Sequence, residues 1–452
     1  MYRPLSLLAV AGMAWNLSAA DPAKPVAATA LAGFVSRPAP RLETVASGIE
    51  GDSFDDPAIW IHPTDPARSL VLGTNKKNGL FAFDLDGRKV GVVSPASCPN
   101  NVDLLYGFPL NFVRTDIALA VCREKDNPCV RAWKIDPKTR TLSEVTPPEG
   151  IKIFGGEPGY GSCTYHSRTT GKYYLFVNHK SGKFEQYVLG FTADGRLSAH
   201  LVRTFAVGSQ PEGCVADEEA GALYLGEEDV GVWKFSAEEN GGTKGKLIAK
   251  VGENGLKDDV EGVTLYTGRD GKGYVIVSSQ GNNTFKIYDR AGNNEYIGTI
   301  DPAAGRLGKV SETDGIAVTN RPLGDKFPHG LFVVQDGTRK ADGQRFKYYA
   351  WEDVAGDGLL IDTGSPASGK PSLLGVGFDS AGKRLAHDAF HSTGQLLPEP
   401  ARGAAESLRD LVPVVAGDAA FQQRAFIGRE LPVEPVGEFP RSRVATRRWF
   451  GR

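Results

Sequence analysis

Histidine and cysteine are scarce in this 452-residue sequence, at seven and five copies. No cysteines stand in a C-x-x-C spacing and no His/Cys cluster forms, which argues against a zinc or copper centre. Five thiols leave at least one unpaired. Cys122 and Cys129 are spaced to bridge the ends of a hairpin, and all five read as structural. An excess of charge is also lacking: 52 Lys and Arg stand against 54 Asp and Glu, a formal net charge of −2. No global basic field is therefore available for nucleic acid or an anionic membrane, and an anionic ligand must be held by local groups. The apolar run "PLSLLAVAGMAW" near the amino terminus is too short to span a bilayer. Preceded by Arg3 and followed by "LSAA", it reads as a secretory signal over 1–20 cleaved near Ala20, which predicts a secreted or periplasmic protein.

Glycine, in contrast, is abundant at 55 residues, which suits a chain of many tight turns. Between residues 55 and 355 a unit recurs. Each copy has a polar-headed segment ("DDPAIWIHP", "PEGCVADEE", "TDGIAVTN"), then an apolar run ("SLVLGTN", "ALYLGEED", "GLFVVQDG"), then a run with an aromatic anchor. The anchors Phe83, Trp133, Tyr187, Phe235, Tyr288 and Tyr349 are spaced by 50, 54, 48, 53 and 61 residues, which sets the period. Six such units, each of strand-length runs without sustained helical period, predict an all-β, six-bladed β-propeller. A β-sandwich would not need six similar units. The expected organisation is a signal (1–20), an Ala/Pro-rich linker (21–45), a propeller (46–356) and a carboxy-terminal extension of unassigned role (357–452).

If the first two segments of each unit are antiparallel neighbours, the start of one and the end of the other share a sheet edge. Polar side chains gather at those two places, so they line one rim around the central channel. Asp55, Asp56, Asn100, Tyr160, Glu212, Asp259, Glu261 and Asp314 head first segments, whereas Lys76, Lys77, Arg123, Lys180 and Glu228 end second ones. Roughly eight carboxylates converging on a channel repel one another unless a counter-ion is present. Hard oxygen ligands of this kind suit several calcium ions. Four cations from units 1 to 3 face the acidic arc of units 4 to 6, a pairing suited to a multiply charged phosphate ester. The opposite rim, formed by turns such as "HPTDPARS" and "TGRDGKG", reads as scaffold.

The segments "DDPAIWIHPTDPARSLVLGTNKKNGLFAFDLDG", "NNVDLLYGFPL", "EGCVADEEAGALYLGEEDVGVWKFSAE", "VEGVTLY" and "SETDGIAV" closely resemble the β-propeller phytases over about residues 45–355. The resemblance implies a 3-phytase activity, the calcium-dependent release of phosphate from myo-inositol hexakisphosphate. It implies that Lys76, Arg123, Tyr160 and Lys180 contact the phosphate to be cleaved, with Lys77 at or near an adjacent phosphate. By the same resemblance Asp55, Glu212, Glu228, Asp259, Glu261 and Asp314 hold catalytic calcium. Asp56, with the carbonyls of Pro57 and Val102 and with Asn100, contributes to a structural calcium site. Gly308 and Thr338 stand where the family offers carboxylates, and these departures weaken the structural site.

The expected chemistry is attack by a metal-activated water without a covalent intermediate. The motifs R-H-G-x-R-x-P and C-x₅-R of covalent phosphatases are absent. The expected substrate is calcium-phytate, and the expected protein a monomer without nucleic-acid or membrane partners. Two rival readings are a calcium-dependent propeller lactonase or esterase and a non-enzymatic binding propeller. Neither requires four basic residues beside the acidic arc.

Overall fold

A computed structural model of the protein describes residues 33–94, 97–338 and 341–364. The expected signal (1–20) and most of the expected extension (365–452) lie outside the described residues. Alternating apolar runs become six sheets of four or five strands arranged as a β-propeller. Its innermost strands are Phe54–Trp60, Pro99–Leu110, Ser162–His166, Pro211–Asp217, Val260–Thr267 and Ile316–Thr319. The second strands are Leu70–Asn75, Val113–Cys122, Tyr173–Asn178, Ala222–Glu227, Gly273–Ser279 and Leu331–Asp336, each antiparallel to its inner neighbour.

All six aromatic anchors lie on third strands and are buried, the most open being Tyr187 at 6% exposure. Burying one side chain of this size contributes about 1.5–3 kcal/mol. The described apolar core divides into six clusters, each shared by two adjacent blades. Phe54, Phe81 and Phe346 meet between blades 1 and 6, and Phe176, Phe205 and Phe235 between blades 3 and 4. Stability therefore sits in the gaps, which leaves the strand ends free for polar work. Cys122 and Cys129 are register partners on adjacent strands, and all five cysteines are free thiols.

The linker expected over 21–45 needs correction where it is described. Phe34–Ser36 adds a fifth strand to blade 5, parallel to Tyr296–Ile300, and Leu42–Glu43 pairs with Arg345–Ala350 as the outer strand of blade 6. Blade 6 takes only three strands from its own stretch of chain, so its outer edge would otherwise offer unpaired backbone groups. The packed fold also runs past 356. The helix Trp351–Ala355 stacks Trp351 on Tyr266 at 4.1 Å, and Asp362 is salt-bridged to Arg269.

Candidate active site

Four of the inner strands open on a β-bulge. The register slips between Phe54 and Pro57, Pro99 and Val102, Pro211 and Cys214, and Val260 and Val263. A bulge leaves residues without cross-strand partners and re-aims their side chains. The residues so released are Asp55 and Asp56, Asn100 and Asn101, Glu212, and Glu261. The sequence thus spends its bulges on the polar residues expected at the rim, and the strand pairing begins just below them.

Glycine lets the bulged strands approach. A Cβ on Gly161 would stand 1.8 Å from the carbonyl oxygen of Glu212, and one on Gly213 would stand 2.4 Å from that of Glu261. Each rim residue therefore lies against the backbone of the next blade, and six inner strands close into a narrow ring.

The ring concentrates charge. Glu212, Glu228 and Glu261 each offer a carboxylate oxygen within 4.8 Å of the other two. Glu212 and Glu261 stand close enough to interact directly, and the contact lowers the pKa of one and raises that of the other. Burial, then the Glu212 charge, pushes Glu261 well above the usual carboxyl range. Burial also works against charge on Glu212. There Glu261, Lys76, Tyr160 and Asn100 prevail and hold it low, with Asn100 Nδ2 at 2.8 Å. Glu228 is pushed up to about 7, chiefly by burial, although Gln210 Nε2 donates to it at 2.5 Å. Burial likewise pushes Asp55 up to about 7 against the pull of Lys76, and it raises Asp314 well above its ordinary value. Lys76 bridges this arc, with Nζ 3.1 Å from Asp52, 3.6 Å from Asp55 and 3.4 Å from Asp314. Burial opposes its charge, but these carboxylates outweigh that and raise its pKa.

Tyr160 joins the two halves. Its hydroxyl bonds to Glu212, and its ring lies beneath Lys180 Nζ at 4.0 Å and the Arg123 guanidinium at 5.3 Å. Cation–π contacts of this kind fix two long side chains over one ring. Lys77 is exposed at the edge and reaches the carbonyl of Glu50 at 3.4 Å. Asp259 is exposed too, with a left-handed φ of 53°, outside the three-glutamate group. Asp56 turns the other way, into the channel with Pro57 and Val102, where its Oδ2 accepts from Val102 N at 3.1 Å. Asn100, expected beside Asp56, bonds to Glu212 in the ring.

The fit of these residues to hard cations is tested by atoms left without donors. Asp55 Oδ2, Glu261 Oε2 and Asn100 Oδ1 are buried and accept no hydrogen bond. Buried oxygens of this kind are costly unless a donor or cation reaches them, and calcium takes carboxylate and amide oxygens together. The residues present therefore suit calcium.

Sequence reasoning missed Asp52 and Gln210. Gln210 stands immediately before the inner strand of blade 4, the place that could have flagged it. Gln280 is a further amide clamp, with Nε2 2.6 Å from Asp314 Oδ1. Glu227, beside Glu228, is committed elsewhere, accepting from Trp233 Nε1 at 2.7 Å and from Ser209. His179 bonds to Ser181 within its own turn. A cavity of about 640 Å³ occupies the channel below the ring, from Asp56 and Asn101 down to His62, Arg168 and Arg321. Lys76, Arg123, Tyr160 and Lys180 do not line it.

Comparison with known proteins follows the same outline. The Phytase family model matches residues 5–364. The 3-phytase of Bacillus subtilis (strain 168) is 41% identical over 318 residues, 69% of this chain and 82% of that protein. Among solved structures, a protein of unknown function from Bacteroides thetaiotaomicron VPI-5482 gives a TM-score of 0.45 at 12% identity, covering 71% of this chain and 75% of that one. BBS1N, in its complex with ARL6DN, gives 0.38 at 10% identity, covering 70% and 98%. With an all-β propeller, a rim of glutamates and a family match over most of its length, this chain belongs to the β-propeller phytase family.

Proposed function

We propose that the protein releases phosphate from phytate at the bulged rim, with calcium as the metal and water as the direct nucleophile. The observation that carries this reading is the orphaned Glu261 and Asn100 oxygens in a ring of converging carboxylates, beside Lys76 and the Tyr160 platform. Calcium bound among Asp55, Glu212, Glu228, Glu261 and Asp314, with Asp259 at the edge, would neutralise their repulsion and lower the pKa of a bound water.

The chain's own side chains do the rest. Lys76, Arg123 and Lys180 bind the oxygens of the scissile phosphate and stabilise charge that grows on them in the transition state. Tyr160, held by Glu212, keeps Arg123 and Lys180 over one ring and orients a phosphate oxygen. Lys77 takes a neighbouring phosphate of the same inositol. Water adds to phosphorus as the ester oxygen leaves with a proton, so inositol pentakisphosphate and inorganic phosphate are the products. Asp56, with Pro57, Val102 and Asn100, would serve a structural calcium. We extend the proposal to export through the 1–20 signal and to action as a monomer on calcium-phytate. No helix of the described residues is long and apolar enough to cross a membrane.

The test is phosphate release from phytate with calcium, with a chelator, and with Lys76→Ala. Release that needs calcium and is lost in the variant is expected. Release undiminished by chelator would sink the calcium reading, and no release at all would sink the phytate reading.

A further inference from the structure

The connection 301–315 between blades 5 and 6 has no strand or helix, yet it delivers Asp314 to the ring. Among the described residues, 307–309 are anchored by one side chain from another element, whereas 311–314 are also gripped by Asp336, Asn283, Ser278 and Gln280. Lys347, on the third strand of blade 6, extends its ammonium into the loop, where Nζ donates to the carbonyls of Gly308 at 2.7 Å, Leu307 at 3.0 Å and Lys309 at 3.5 Å. A fourth oxygen, Asp336 Oδ2, stands at 3.0 Å, and the two side chains are 1% and 3% exposed. The other oxygen of Asp336 accepts from Ser311 N at 3.2 Å and from the Thr338 hydroxyl at 2.6 Å. The chain of contacts therefore runs from the ammonium through Asp336 to Ser311, three residues from Asp314.

Three successive carbonyls and one carboxylate converging on a point form an oxygen cage of the type that holds a hard cation. Here the cation is covalent. We propose that Lys347 is a built-in cation that locks the 301–315 connection and positions Asp314, so that this loop is held without a metal ion. The lock is separate from the rim chemistry and stands whether or not the rim hydrolyses phytate. It also gives Gly308 a role: its carbonyl makes the shortest contact, at a φ of +84° that favours glycine.

The lock makes a chemical prediction that ordinary packing does not. Lys347→Ala removes a propylammonium fragment and leaves the cage. Full-length Lys347→Ala in chelator should melt several degrees below wild type, and millimolar propylammonium should recover at least half of the loss. Tetramethylammonium, equally charged but without N–H donors, should recover none. A second variant guards against misfolding. In Lys347→Met, amide exchange of a 303–311 peptide, which stops short of Asp314, should quicken at least tenfold, whereas in wild type a chelator should leave that peptide unchanged. The proposal is overturned if Lys347→Ala melts like wild type, or if both ammonium salts act alike. It is equally overturned if chelation alone deprotects the wild-type loop as far as Lys347→Met does.

Discussion

At the bulged end of the inner strands, Glu261 buries a carboxylate oxygen that no donor reaches, and the buried Oδ2 of Asp55 has only Lys76 Nζ at 3.6 Å, beyond hydrogen-bond range. At the far end of the same channel, Asp116 accepts from Trp60 Nε1 and Gly107 N, both at 2.9 Å. Asp217 there accepts two 2.6 Å bonds from Arg290 and further bonds from Glu219 N and Ala220 N. The same residue type thus does two jobs. Where every oxygen is satisfied, a buried carboxylate fastens strands; where donors are withheld, it waits for a partner from outside. Single unpaired carboxylate oxygens also occur on Glu43 and Glu352, so what sets the rim apart is that such oxygens converge there.

The sharpest way to break this contrast is a pair of variants with opposite expected effects. Glu261→Gln keeps the shape and can donate to Glu212. With chelator it should melt no lower than wild type, whereas with calcium it should lose roughly 100-fold in phosphate release, the scale of a lost transition-state contact. Full activity in Glu261→Gln would erase the distinction at that end. Arg290→Met strands Asp217 and Glu219 in the opposite sense. Leaving a buried charge unpaired costs about 3–5 kcal/mol, so urea unfolding should shift by that much while kcat/KM of the folded protein stays put. A fall in kcat/KM without loss of stability would show that the far end also takes part in turnover.

A smaller effect is expected at the seam between blades. Gly213→Ala forces a methyl against the Glu261 carbonyl and should cost about 1–3 kcal/mol of stability, the usual range for overpacking. It should also weaken calcium affinity, because the ring opens; urea unfolding reads the first effect and titration calorimetry the second. The smallest effect is the pH response. The folded-state pKa values of Asp55 and Glu228, about 7, lie above their ordinary 3.8 and 4.5. The folded, chelated protein therefore binds more protons than the unfolded chain between about pH 4 and pH 7, and its stability falls as pH rises through that window. Chelated protein should melt higher at pH 6 than at pH 8. Calcium affinity should run the other way, weakening below pH 7 as the ligands protonate. A chelated melting temperature that rises with pH would contradict the assignment of these two groups.

Much of this was legible in the sequence because a propeller repeats. The anchors from Phe83 to Tyr349 fix the number of blades, and strand alternation fixes which ends share a rim. The segment 34–43 escaped because it pairs over only three and two residues, too short to show a period. Within the site, Lys76, Glu212 and Glu261 were legible as polar heads and tails of apolar runs. Which neighbour points where was not. Glu227 and Glu228 are adjacent and identical in type, and only the end of strand pairing turns one to Trp233 and the other to the ring. Asn100 swaps its expected neighbour Asp56 for Glu212 for the same reason, because a bulge rotates two consecutive side chains apart.

The pairing of Leu42 with Tyr348 has a kinetic consequence. These residues lie at opposite ends of the propeller sequence, so blade 6 cannot be completed until nearly the whole domain has been synthesised. Contacts so distant along the chain form slowly, since the entropy of closing the loop between them must be lost first. Until then the amino-terminal segment has no sheet edge in blade 6 to join. An unfolding force applied at the amino terminus would first peel Phe34–Ser36 from blade 5 and then meet this pairing, which makes the last-formed strand of blade 6 also the latch of the ring.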